Sequence, residues 1–268
     1  MGSLLGLSEA QRKEAMELQT QIESGAICQY CYLAECPREV KERPIFMGPK
    51  RAYPATCCAE KARQLQEAEN VRQQGIRSDV VAGLERLAGI PARFKEADFS
   101  NFKMNLQNGE AVAAALDLVN HFAEREKTGR GLVLVGPAGV GKTHLGVAVM
   151  RRLVSNGIPS RYAYAPDFLE LTRRRPSEMS ELGYQTLRAF CTERCLFLDD
   201  AGIDRDTEFT VAQYTKLIDC RYREKHPLIL ATNLGLEDLE GVIGERSMGR
   251  LVESNEIIQV AGPDSRLS

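Results

Sequence analysis

Lys142 and Thr143, preceded by glycines at 136, 139 and 141, have the types and spacing needed to hold a polyphosphate. The octet Gly136–Thr143 (GPAGVGKT) fits G-x-x-x-x-G-K-[ST], a loop whose backbone N–H groups turn inward onto phosphate oxygens. Lysine supplies a point charge for the β- and γ-phosphates, and the threonine hydroxyl is a ligand for Mg²⁺. Gly136, Pro137, Ala138, Gly139, Val140, Gly141, Lys142 and Thr143 thus form a candidate ATP or ADP cradle, with His144 directly after it. A chance glycine-rich turn is the other reading of the octet. The apolar run Leu132–Val135 before it and the helical pattern from Thr143 to about Leu153 argue against chance, because a strand–loop–helix order aims a helix N-terminus at the phosphates.

A phosphate cradle needs a metal holder on a neighbouring strand. Leu196-Phe-Leu-Asp199-Asp200 supplies two carboxylates at the end of an apolar run, where open α/β sheets bind ligands. Asp199 is the candidate Mg²⁺ partner beside Thr143, and Asp200 is placed to polarise an attacking water. Leu228–Thr232 ends in Asn233, whose amide either orients that water or simply closes a strand-ending turn. Arg246 and Arg250, four residues apart, share one helix face. That face is either solvated surface or a donor of an arginine finger to a neighbouring subunit's ATP.

Behind these residues strands and helices alternate. Strands are expected at 132–135, 161–164, 195–199, 228–231 and 256–260. Helices are expected at about 109–126, after the loop, at 166–174, 180–192 and 208–224. Continuous apolar strands separated by helices predict a parallel sheet covered on both faces, an α/β fold. Upstream, residues 8–24 read as helix with Ser8 as N-cap, 59–74 as a polar helix, and Gly89–Phe94 as a turn entering the second domain. The expected division is 1–75 as a small N-terminal module, 76–105 as linker and 106–268 as the ATPase domain.

Net charge is −2 over 268 residues, so a uniformly basic nucleic-acid coat is excluded and any DNA contact must be local. Six arginines (151, 152, 161, 173, 174 and 175) against three acids between Leu145 and Ser180 are the candidate patch, with a solvated helix end as the alternative. No apolar run approaches the roughly 20 residues of a membrane helix and no leader opens the chain, so cytoplasm is expected.

Five of the eight cysteines lie at 28, 31, 36, 57 and 58. In a cytoplasmic chain that argues for metal or free thiols over disulfides. Cys28-Gln-Tyr-Cys31 is a C-x-x-C turn, and four of Cys28, Cys31, Cys36, Cys57 and Cys58 would complete a Zn²⁺ site; an iron–sulfur cluster and ordinary thiols remain open. Cys191, Cys195 and Cys220 read as core thiols.

Taken together these motifs resemble the AAA+ ATPases of the DnaC/DnaI helicase-loader branch and their IstB-like relatives. The resemblance rests on Gly89–Phe94 with Phe99 and Phe102, Gly136–Thr143, Leu198–Gly202, Ile218–Tyr222, Ala231–Asn233, Gly244–Leu251 and Gly262–Arg266, covering about 88–268. It implies a P-loop AAA+ domain without a C-terminal lid, a Walker A pair at Lys142 and Thr143, and a Walker B pair at Asp199 and Asp200. It also implies sensor 1 at Asn233, an arginine finger at Arg250 with Arg246 beside it, and a sensor-2-like Arg266. Asp200 stands where many members carry glutamate, which implies slow turnover. Loaders of this branch bind single-stranded DNA, self-associate through the ATP site and dock a DnaB-type helicase through an N-terminal zinc module. A transposition helper acting on duplex DNA, or an adaptor that binds ATP without hydrolysing it, are the alternatives.

Overall fold

Residues 58–173, 180–203 and 207–264 of the computed structural model are described, with residues 13, 16, 17 and 20 of an early helical stretch. Five strands, β1 (Gly131–Val135), β2 (Ser160–Tyr164), β3 (Cys195–Ala201), β4 (Leu228–Thr232) and β5 (Asn255–Gln259), form one sheet. Their order is β2-β3-β4-β1-β5 and every pairing is parallel. Parallel neighbours require a crossover between strands. The crossovers are helices α4 (Lys142–Ser155), α5 (Ala165–Arg173), α6 (Glu181–Thr192), α7 (Glu208–Glu224), α8 (Leu236–Ile243) and α9 (Glu245–Ser254). Three more precede β1: α1 (Cys58–Leu87), α2 (Gly109–Asn120) and α3 (Phe122–Thr128).

Strand side chains alternate between the two faces, and the core splits accordingly. Leu132 and Leu134, Cys195 and Phe197, and Ile229 and Ala231 pack beneath α2 and α4. Val133 and Val135, Leu196 and Leu198, and Leu228 and Leu230 pack beneath α5 to α9. Helix α4 approaches closely at Gly146, where any Cβ would run into the Phe197 ring. This close seat fixes the start of α4 relative to β3.

Several elements differ from the sequence expectation. The helix expected at 109–126 breaks at His121, whose ring Nδ1 lies 2.8 Å from Asp117 Oδ1. The break buries Phe122 and lets Arg125 reach both Asp117 and Glu256 on β5. Strand β3 runs two residues further than expected, through a register shift at Asp199 and Asp200. Strand β5 starts one residue earlier than expected, although Val260 still donates its N–H to Val135 O. Helix α1 does not stop near residue 74 but continues to Leu87. Val81, Leu84 and Ala88 then pack on the core, so part of the expected linker is helix. The chain divides into two compact units, Met1–Ile76 and Arg77–Ser268.

Cysteine chemistry also departs from expectation. Cys191 of α6 and Cys220 of α7 are joined in a disulfide, with Cα atoms 5.8 Å apart. The expectation of free thiols came from compartment, whereas adjacent helices bring these two residues together across 29 positions. Cys195 keeps its reading as a buried thiol, and burial pushes its pKa up to about 12.

Candidate nucleotide site

The loop after β1 is shaped by its glycines. Gly139 (φ 84°) and Gly141 (φ 100°) are left-handed, a region closed to most L-residues. A Cβ on Gly136 would strike the Val260 carbonyl, and one on Gly141 the Phe102 ring. Gly141 then caps α4 with no side-chain hydrogen bond, which leaves the first turn's N–H groups facing the loop. Lys142, 5% exposed, donates from Nζ to Gly136 O (2.7 Å), Pro137 O (2.8 Å) and Asn233 Oδ1 (2.7 Å).

The adjacent strands bring the predicted polar residues to this loop. Thr143 Oγ1 donates to Asp199 Oδ1 (3.1 Å), and Asp199 Oδ2 accepts from Tyr162 Oη (3.0 Å). Asp199 is only 3% exposed; burial first, then the neighbouring Asp200 charge, raise its pKa to about 6. The Tyr162 hydroxyl is pushed well above its ordinary range by burial and by Asp199, so it remains a proton donor. Asp200 adopts a left-handed backbone (φ 56°), which turns it out of the β3 ladder. Its Oδ1 accepts from Asn233 Nδ2 at 3.2 Å. The Asn233 amide therefore bridges the Lys142 ammonium and the Asp200 carboxylate. Thr232 Oγ1 ties the two strands by donating to Ala201 O (2.7 Å) and accepting from Leu234 N (3.1 Å).

A cavity of about 440 Å³ opens between these groups, lined by Gly139, Lys142, Thr143, Asp199, Asp200 and Asn233 together with Arg93, Phe94, Tyr162 and Tyr164. The Thr143 hydroxyl and the Asp199 carboxylate form an all-oxygen donor set with no cationic partner for the carboxylate among the described residues, which suits a hard divalent ion such as Mg²⁺. His144 also lines the cavity. Its Nε2 lies 3.0 Å from Asp98 O and its ring meets Phe102 edge-on, so it fastens the preceding segment to α4.

Other predicted residues stand elsewhere. Arg246 and Arg250 of α9 are both clasped by Asp219 of α7, Arg246 Nη2 at 3.4 Å, and Arg250 also stacks over Tyr222. Neither lines the cavity. Within the candidate basic patch, Arg151 donates to Ala97 O, Arg152 faces Asp98 and Arg161 pairs with Glu193. Those three make intramolecular contacts as well, although Arg152 stays 48% exposed. Arg173 lies over the Phe209 ring, while Arg174, Arg175 and Arg266 lie outside the described residues. So do Cys28, Cys31, Cys36 and Cys57; Cys58 is the first residue of α1. Among the described residues no cluster of His, Cys, Asp and Glu could hold a metal by itself, and no helix is long and apolar enough to cross a membrane.

A family model described as "IstB-like ATP binding protein" matches residues 65–268, about three quarters of the sequence and the whole of this site. The chain belongs to the IstB-like ATP-binding family. Its similarity to the ATP-binding protein of insertion sequence IS5376 from Geobacillus stearothermophilus is 26% identity over 246 residues, 90% of this chain and 93% of that protein. The replicative helicase loader DnaC of Escherichia coli (strain K12) is 21% identical over 179 residues, 66% of this chain and 72% of the loader. A crystal structure of the DnaC helicase loader superposes with a TM-score of 0.57 and 25% identity, covering 64% of this chain and all of that one. Within the IstB-like family, then, this chain carries the α/β core and an intact loop.

Sequence reading missed Tyr162, Tyr164, Arg93 and Phe94. A signal for the tyrosines existed: they end β2, and ligands of a parallel sheet gather at the carboxyl ends of its strands. Arg93 and Phe94 belong to the turn read at Gly89–Phe94, whose residues carry no sign that it lines the cavity.

Proposed function

We propose that this chain is a DnaC-type helicase loader: an ATPase that holds a DnaB-type hexameric helicase through its N-terminal region and single-stranded DNA through its ATPase domain. The observation that carries the ATPase half is the convergence of Lys142, Thr143, Asp199, Asp200 and Asn233 at one edge of the sheet. Lys142 exchanges a carbonyl for phosphate oxygens, the loop N–H groups hold the β-phosphate, and Thr143 with Asp199 hold Mg²⁺. An ion held there by Thr143 and Asp199 would supply charge neutralisation for the polyphosphate. Asp200 polarises the attacking water and Asn233 orients it, while Arg250 with Arg246 from a neighbouring copy meets the γ-phosphate. Arg266 is a further nucleotide contact.

Coverage of the complete DnaC crystal chain favours the loader reading. Near full-length similarity to the insertion-sequence protein favours the second, a transposition helper on duplex DNA. The cysteines at 28, 31, 36, 57 and 58 belong with the first as a zinc-holding, helicase-docking module.

Native mass measurement with a DnaB-type hexamer, plus anisotropy titrations of single- and double-stranded oligonucleotides with ATP, separates the two. The loader reading expects a hexamer-bound mass, tighter single-strand binding, and one zinc per chain that Cys28→Ser loses. ATP-dependent coating of duplex with no helicase complex would overturn it in favour of the helper.

A further inference from the structure

We infer that Arg93 is a nucleotide-sensing residue acting within its own subunit, contributing a guanidinium to the γ-phosphate of bound ATP. The inference rests on the ATP reading of the cavity and extends it to a residue outside every motif of the loop and strands.

Arg93 lies in the 3₁₀ turn Ala92–Phe94 and lines the same cavity as Lys142, Thr143, Asp199 and Asp200. Among the described residues it has no ion pair and no hydrogen-bond partner. Its contrast with other arginines of the domain is sharp. Arg125, Arg151, Arg152, Arg161 and Arg194 are each committed to a carboxylate or a carbonyl. Arg221 is buried on three carbonyl oxygens. Arg93 alone among these reaches the cavity, and it reaches it unneutralised.

Its segment is also held in place. Ala88 O accepts from Tyr162 N at 2.7 Å before the turn. After it, Ala97 O accepts from Arg151 (2.9 Å), His144 lies against Asp98 O, and the Asp98 carboxylate accepts from Ser100 N. Phe94 packs on the core. A turn fastened at both ends has its backbone ordered in advance, so only the arginine side chain remains to be fixed when its planar fork meets phosphate oxygens. Tyr162 links this turn to the metal-holding carboxylate, because its N–H binds Ala88 and its hydroxyl binds Asp199. A charge change at the γ-position would therefore reach the segment leading back to α1.

The test is titration of the full-length protein with fluorescent ATP and ADP analogues in Mg²⁺, together with steady-state hydrolysis, for the unaltered chain, Arg93→Ala and Arg93→Lys. We expect Arg93→Ala to weaken ATP binding by about tenfold or more while ADP binding stays within about twofold, since the lost contact is charge-assisted and specific to the third phosphate. Arg93→Lys should recover part of that discrimination, as a point charge without the fork. An exposed side chain with no partner predicts an unchanged Tm in both variants. Equal ATP affinity in all three proteins overturns the inference, and so does an equal loss for ATP and ADP, which would place Arg93 on the base, ribose or inner phosphates. If the unaltered chain binds neither nucleotide, the ATP reading itself fails and the assignment of Arg93 falls with it.

Discussion

The carboxyl edge of the sheet and the α7–α9 face both concentrate charge, yet they are built in opposite ways. At the edge, Lys142, Asp199, Asp200 and Asn233 come from three different strand ends and are joined by hydrogen bonds that converge on a cavity. On the α7–α9 face, Arg246 and Arg250 are both paired with one residue, Asp219, and neither lines that cavity. The first region is assembled by the sheet. The second is parked, with Arg246 70% exposed and Arg250 18% exposed in the same clasp. A single subunit thus keeps one set of polar groups open to a cavity and another tied up among its own side chains.

Replacing Lys142 breaks the first region and leaves the second intact. Lys142→Ala should abolish measurable ATP binding, a loss of about a hundredfold or more, because a buried ammonium with three acceptors is removed from the loop. Retained tight binding in an ATP titration would refute the cradle.

The second region is probed by Arg250→Ala. Turnover should fall by about a thousandfold, the scale of an arginine finger, while ATP affinity stays within about threefold. Mixing this variant with Lys142→Ala subunits should restore activity, since each lacks what the other carries. No recovery in the mixed sample would mean the arginine works only as a partner of Asp219.

A third test concerns the core beneath α2 and α4. Cys195 is wholly buried, and its folded pKa lies near 12 against an ordinary value of 9.0. An acid with a raised folded pKa costs stability once the unfolded thiol ionises. This group should therefore lower stability progressively as pH rises from about 9 to about 12, and have no effect below that window. Denaturant melts of Cys195→Ala against the unaltered chain should diverge only in that window; parallel curves across it would contradict the buried thiol.

Much of the edge was legible because its parts are contiguous. GPAGVGKT, the apolar run into Asp199-Asp200 and the strand ending at Asn233 each announce themselves within a few residues, and the strand pattern places them at one end of a sheet. What escaped reading depends on distance. Asp219 carries no local sign that it will hold two arginines 27 and 31 positions later. Arg151, Arg152 and Arg161 look like a basic patch until folding gives each a partner. The Cys191–Cys220 bond needs two helices side by side, which periodicity does not report. Helix α1 outran its expected end because Val81 and Leu84 pack on the core, a tertiary burial that a local reading does not weigh.

One hydroxyl group makes the edge behave as a single device. Thr232 Oγ1, at the end of one strand, clips the Ala201 carbonyl of its neighbour to the Leu234 amide of the bend that follows, so the acid before one anchor and the amide beside the other share one tether. The spacing between Asp200 and Asn233 is thereby referred to a single buried oxygen.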